Sequence, residues 1–177
     1  MSNQSLQYTT LETPRLRLVA ITPAYCEAIF QAFTKTVARY TFPQPTGNSA
    51  DTEAFIAHAQ GLMEQGNELQ VVVLDKETSE FLGCAGLHHL NTPHPELGLW
   101  FKENAWGKGY GTETMQALKA FVDEHYTYEY LHYPVVKENN ASRNIAEKLR
   151  GILQPDGRTT KNANGEPLKE VVYWIYS

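Results

Sequence analysis

Residues Glu96 to Thr112 read ELGLWFKENAWGKGYGT. The first six, Glu96 to Phe101, form an apolar run that predicts a strand. Trp106-Gly107-Lys108-Gly109-Tyr110-Gly111-Thr112 then opens a predicted helix, Lys108 to Tyr126, with Met115, Leu118, Phe121 and Val122 turned inward. Glycines at every second position permit backbone conformations that a Cβ would block. Several main-chain N–H groups can then converge on one point at the positive end of a helix. That is a site for a diphosphate built from backbone alone. Lys108 either adds a charge there or faces solvent. Two other phosphate loops fail on spacing. A nucleoside-triphosphatase loop ends in Gly-Lys-Ser/Thr, whereas here Lys108 precedes the later glycines. G-x-G-x-G is also not the dinucleotide fingerprint G-x-G-x-x-G. A glycine-rich turn that binds nothing is the remaining alternative.

Outward from this stretch the pattern mixes strands and helices. Arg15 to Ile21 alternates as a strand does, and Thr22-Pro23 offers a helix cap and first turn. Cys26, Ile29, Phe30, Phe33 and Val37 recur at helical spacing. Ser49 is a cap candidate for a second helix carrying Phe55, Ile56, Ala59, Leu62 and Met63. Strands are predicted at Leu69–Asp75 and Phe81–Leu90, and short turns make these and Glu96–Phe101 an antiparallel meander. After the long helix come a strand at Tyr130–Val136 and a short helix at Ala141–Arg150. A closing hairpin turns at Asn164-Gly165 and ends in Leu168–Tyr176. Clustered rather than alternating strands predict an α+β fold.

The chain has 177 residues, 42% of them apolar and 20% charged, which suits one folded domain spanning residues 1–177 with a loose tail over residues 1–10. Apolar runs such as Val71-Val72-Val73-Leu74 are too short for a membrane span. The polar first ten residues lack the pattern of a signal peptide. A net charge of −5 disfavours nucleic-acid partners but not one small anionic ligand. Cys26 and Cys84 sit among apolar neighbours and read as small buried hydrophobes in a reducing, cytoplasmic setting.

Three segments in order carry a family resemblance. Gly98-Leu-Trp-Phe101 followed by Trp106 to Glu113 resembles the acyl-CoA loop of the GNAT N-acetyltransferases. Glu12-Thr-Pro-Arg-Leu-Arg-Leu18 resembles the opening strand of the ribosomal-protein N-acetyltransferase (RimJ/RimL-type) branch. Asn139-Asn-Ala-Ser142 with Ala146-Glu-Lys-Leu149 resembles that branch's Asn-x-x-Ser turn and helix. The resemblance implies a mixed, mostly antiparallel sheet that splays after the fourth strand, flanked by about four helices. It implies acetyl-CoA as cosubstrate and no metal. It places the pantetheine arm against the backbone of Leu99, Trp100 and Phe101, and the diphosphate on amides of Lys108, Gly109, Tyr110, Gly111 and Thr112. Asn139 would bind the pantetheine arm, and Ser142 would lie near the thioester sulfur. Two departures stand out. Trp106 occupies a position usually Gln or Arg, and Leu149-Arg150-Gly151-Ile152 replaces the usual Leu-Gly-Phe ending.

Acetyl transfer to an amine needs a deprotonated nucleophile, a donor for the developing oxyanion and a proton for the departing thiolate. Glu96, at the start of the strand, is the first candidate for the base, with His88 and His89 as rivals. A strand lets only one of those two histidines face the cleft. The tyrosine acid of many family members is Ala146 here. Ser142 is the candidate to replace it, protonating or steadying the sulfur as the branch resemblance suggests, and Tyr133 is an outside candidate. The resemblance places Phe30, Phe33, Tyr40 and Phe42 where the family builds its acceptor wall. The resemblance implies a primary amine as acceptor, of a protein N-terminus or of a small molecule, and the expected state is a monomer or homodimer. A catalytically silent CoA-binding sensor or interaction module is the competing reading.

Overall fold

A computed structural model describes residues 6–41, 44–161 and 167–177. Among these, strands and α-helices follow in the order β1 (Thr10–Glu12), β2 (Leu16–Ala20), α1 (Cys26–Ala32), α2 (Ser49–Glu64), β3 (Leu69–Asp75), β4 (Phe81–His88) and β5 (Glu96–Phe101). Then come α3 (Tyr110–His125), β6 (Leu131–Val136), α4 (Asn140–Lys148), β7 (Ile152–Leu153), β8 (Arg158–Lys161) and β9 (Pro167–Ile175). They build one sheet in the order β1-β2-β3-β4-β5-β6-β9-β7, with β8 also on β9. All pairings are antiparallel except β5 with β6. The α+β fold with a mostly antiparallel sheet is the one expected.

Leu69 to Leu74 are buried on both faces of β3, so helices must cover both sides of the sheet. Along β5, Trp100 packs its ring 5.0 Å from Phe33, just beyond α1, whereas Leu99 points to the opposite face, beside Gly111 of α3. Ile56 and Met63 of α2 fill one side of the core, and Met115, Leu118 and Val122 of α3 are fully buried as well.

The structure departs from the sequence reading in several places. The segment over residues 1–10 is not loose where described: Leu6 is buried, Leu6–Tyr8 form a 3-10 turn, and Thr10 begins β1. The sheet therefore opens one strand earlier, and the strand expected fourth is β5. Asn48, not Ser49, caps α2, its side chain accepting from the Ala50 N–H. The first helix stops at Ala32 because Phe33 leaves helical geometry and the Thr34 hydroxyl accepts the Val37 N–H, starting a separate 3-10 turn. β4 ends at His88 because His89 is left-handed at φ 57°. The hairpin turn expected at Asn164-Gly165 lies outside the described residues.

The altered ending of α4 has a local explanation. The Gly151 N–H donates to the Ala146 carbonyl (2.8 Å) and the Arg150 N–H to that of Glu147 (2.9 Å). This is the paired closure of a Schellman motif, whose left-handed position normally takes glycine. Arg150 occupies it at φ 60°. Gly151 is needed for space, since a Cβ would lie 2.9 Å from the Ala146 oxygen.

Candidate active site

The sheet is split beside β5. β4 and β5 pair over six residues, from Gly83 with Phe101 to His88 with Glu96, but β5 and β6 register only at Glu96 with His132. There the His132 N–H donates to the Pro95 carbonyl at 2.8 Å. Beyond this clasp the strands part. A cavity of about 790 Å³ fills the space, reaching Leu99, Trp100, Tyr133, Asn139 and Ser142.

Strand alternation decides which backbone groups face the gap. The Lys102 N–H donates to the Leu82 carbonyl (2.9 Å), and a Cβ on Gly83 would lie 2.2 Å from the Trp100 oxygen. Residues 100 and 102 thus turn their main chain to β4, and Leu99 and Phe101 turn theirs to the gap. The Phe101 carbonyl already accepts the Trp106 indole N–H at 2.7 Å. Of the three backbones expected to meet a pantetheine arm, Trp100 is therefore displaced, and its contribution is its side chain. Leu99 presents both of its polar groups and Phe101 its N–H.

Past β5 the chain forms the glycine loop. Gly107 and Gly109 are left-handed at φ 72° and 81°, conformations that side chains rarely adopt. Gly111 lies close against α4: a Cβ there would sit 2.7 Å from the end of the Ile145 side chain, which would have to shift. α3 begins at Tyr110, so Lys108 and Gly109 belong to the loop. Among the described residues no protein acceptor takes the N–H groups of Lys108, Gly109, Tyr110, Gly111 or Thr112. The Lys108 side chain is exposed.

The loop is held from outside. The Arg15 guanidinium donates to the Lys108 carbonyl (2.9 Å), pairs with Glu113 (2.6 Å) and lies 4.8 Å over the Tyr110 ring. Glu113 also accepts from the Thr13 hydroxyl (2.6 Å) and the Arg15 N–H (3.0 Å). Burial alone would push the Glu113 carboxyl up, but these donors more than offset it and hold it below the usual carboxylate range. The opening strand segment and the glycine loop therefore form one unit.

Glu96 stands at the closed end of the split, on the face it shares with Gly98 and Trp100. Its carboxylate meets the His132 ring nitrogen Nδ1 at 2.9 Å, so main chain and side chains clasp at the same pair. Burial pushes the Glu96 carboxyl up. The hydrogen bond and charge of His132, with smaller help from Arg158 and His88, outweigh it and leave the carboxyl below its ordinary value. Glu96 is thus ionised at neutral pH. Of the two rival histidines, His88 reaches the cavity and pairs with Glu68 (3.1 Å), whereas His89 sits in the turn after β4.

On the opposite side of the gap, the Asn139 side-chain oxygen accepts the Ser142 N–H (3.2 Å) and caps α4. Its side-chain amide N–H groups remain for a ligand. Ser142 lies beside the Tyr133 phenol. Burial pushes that phenol up to about 12, only partly countered by the hydrogen bond with Ser142, so it keeps its proton. Burial likewise raises the Cys84 and Cys26 thiols, with Glu53 and Glu27 adding to the effect on Cys26. Neither is an activated nucleophile. Of the expected acceptor wall, Phe30, Phe33 and Tyr40 line the cavity, and Phe42 lies outside the described residues. No helix among the described residues is long and apolar enough to cross a membrane.

His132, Arg15 and Glu113 were not anticipated as site residues. Arg15 and Glu113 did stand inside the quoted motifs, but no local pattern links positions so far apart.

The comparisons agree with this geometry. "Uncharacterized N-acetyltransferase YoaA" of Bacillus subtilis (strain 168) is 25% identical over 175 residues, 95% of this chain and 97% of that protein. A solved structure of RimL, a ribosomal L7/L12 alpha-N-protein acetyltransferase in complex with coenzyme A, superposes with a TM-score of 0.81. It is 18% identical, covering 95% of this chain and 98% of that one. An acetyltransferase of the GNAT family from Bacillus anthracis has a TM-score of 0.79 at 19% identity, covering 95% and 98%. The family model described as acetyltransferase (GNAT) domain matches residues 15–151, from the Arg15 brace through the split to the close of α4. With its opened sheet and glycine loop inside that span, the chain belongs to the GNAT acetyltransferase family, whose members transfer the acetyl group of acetyl-CoA.

Proposed function

We propose that this protein moves the acetyl group of acetyl-CoA directly onto a primary amine, that of a protein N-terminus or of a small molecule. The observation that carries the reading is the coincidence of a split sheet, a row of unpartnered amides at its mouth and an ionised carboxylate at its closed end. The amides of Lys108 to Thr112 bind the diphosphate, and Leu99, Phe101 and the Asn139 amide hold the pantetheine arm. Acetyl-CoA supplies a thioester carbonyl open to attack by an amine. Glu96 takes the proton that the ammonium must shed, directly or through a water, and His132 fixes the carboxylate for that task. Ser142, backed by the neutral Tyr133 phenol, donates the proton that the departing thiolate needs. No covalent intermediate on the protein is required, which suits the inert cysteines.

Ala146, in place of the usual tyrosine acid, favours one other reading, a CoA-binding sensor without turnover. Thiol release from acetyl-CoA in the presence of an amine panel separates the two. Acetyl transfer predicts amine-dependent release that saturates in both substrates. Tight CoA binding without release on any amine would support the sensor.

A further inference from the structure

The acceptor side of the cavity has an unusual lining. Phe30, Phe33, Phe55 and Trp100 all border it and all are only half-buried. Phe30 and Phe33 do not pack into the hydrophobic core. They flank the place where α1 breaks, so the break leaves rings facing the cavity. Phe33 and Trp100 hold a tilted pair at 5.0 Å, and Phe81 backs Trp100 at 5.9 Å. Half-buried rings gathered around one concavity favour an apolar ligand.

The charges point the same way. Glu96 and Asp51 border the cavity, and Asp51 lies one helical turn before Phe55. Arg158 and Glu170 also reach it, but they are engaged with each other. An ammonium group therefore finds carboxylates there, and the remainder of the acceptor finds rings. Polar side chains, among them Gln44, Thr52 and Gln70, also line the cavity, but a group held directly against the rings loses water there at a cost unless it is apolar.

We propose that the acceptor is a primary amine bearing a large apolar group, aromatic or branched aliphatic. This rests on the acetyl-transfer reading and narrows it. The chemistry is shared by free arylalkylamines and by peptides with a bulky apolar first residue. A panel of 2-phenylethylamine, a Phe-initiated tetrapeptide, a Ser-initiated tetrapeptide and spermidine distinguishes the sources. At least one of the first two is expected to give kcat/KM roughly tenfold or more above the last two, a range usual for apolar pockets. Which of the two leads identifies the source. Equal or better use of the Ser-initiated peptide or spermidine would overturn the proposal while leaving acetyl transfer intact. CoA binding without acetylation of any amine would overturn both. The variant Phe33→Ser provides a second measurement. KM for the preferred apolar amine should rise about tenfold while KM for acetyl-CoA stays within about twofold, the latter also showing that the fold is intact. An unchanged amine KM would overturn the proposal.

Discussion

The two sides of the split are built by different means. Under the proposed function the cofactor side is made of main chain: amides of Lys108 to Thr112, the inward backbone of Leu99 and Phe101, and glycines that allow those shapes. The acceptor side is made of side chains from α1, α2, β4, β5 and β6, meeting only in the folded chain. A main-chain site needs few residue identities but demanding backbone angles, so its signature is local and glycine-rich. A side-chain site tolerates ordinary backbone and draws its parts from distant segments, so its signature is dispersed.

That contrast predicts which kinetic constant each substitution moves. The largest effect belongs to Glu96→Gln, which should lower kcat roughly 10²–10⁴-fold with acetyl-CoA affinity preserved. Unchanged turnover and pH profile would remove Glu96 as the base. Next, Gly109→Val places a β-branched residue at φ 81°. Strain of about 1–3 kcal/mol would turn the amides away. Calorimetry should then show CoA affinity down on the order of 100-fold, with the circular dichroism of the fold retained. Arg15→Leu removes the brace without touching an amide of Lys108 to Thr112. KM for acetyl-CoA should rise about tenfold, as loss of charge-assisted hydrogen bonds implies, with kcat little changed. A fall in kcat alone would break the proposed division between the two sides.

The clasp at the closed end gives a pH test. The Glu96 carboxyl is held below its ordinary value, so the proposed base is ionised above that lowered value and activity should fall as pH drops through it. His132→Ala removes the largest of the influences that lower it, leaving burial opposed only by the smaller influences of Arg158 and His88. The acid limb of the kcat profile should move to higher pH. Linkage has the same sign: the stability contributed by this carboxylate is present above the unfolded carboxyl value and lost as pH falls through the lowered folded one. An acid limb that stays in place would show that Glu96 is not the group being titrated. The smallest effect is thermal. Arg150→Gly relieves a left-handed residue at φ 60°, contributing roughly 1 kcal/mol and raising Tm by about 2–4 °C for a chain of this size. Kinetics should not change.

The same division explains how much was legible beforehand. Strands β3, β5 and β6 and helix α3 carry strong patterns close to their final bounds, and Gly107, Gly109 and Gly111 announce the loop. Glu96, Ser142 and Tyr133 were nameable because a motif flags the first two and the third shares their neighbourhood. The reversal of Trp100 was hidden because register, not composition, decides which edge of a strand its backbone faces. His132 became visible only when β6 aligned it with Glu96 across the split. Arg15 and Glu113 lie 98 positions apart and needed the fold to meet. The break after Ala32 depends on the Thr34 hydroxyl, a local competition that apolar spacing does not reveal.

A titration of the isotope-labelled protein with CoA, followed by amide NMR, tests the central claim most directly. The N–H signals of Lys108 to Thr112 and of Leu99 should shift together and saturate with one Kd, while those of α2 remain in place. Saturable binding that leaves these amides unmoved would contradict a cofactor site made of main chain.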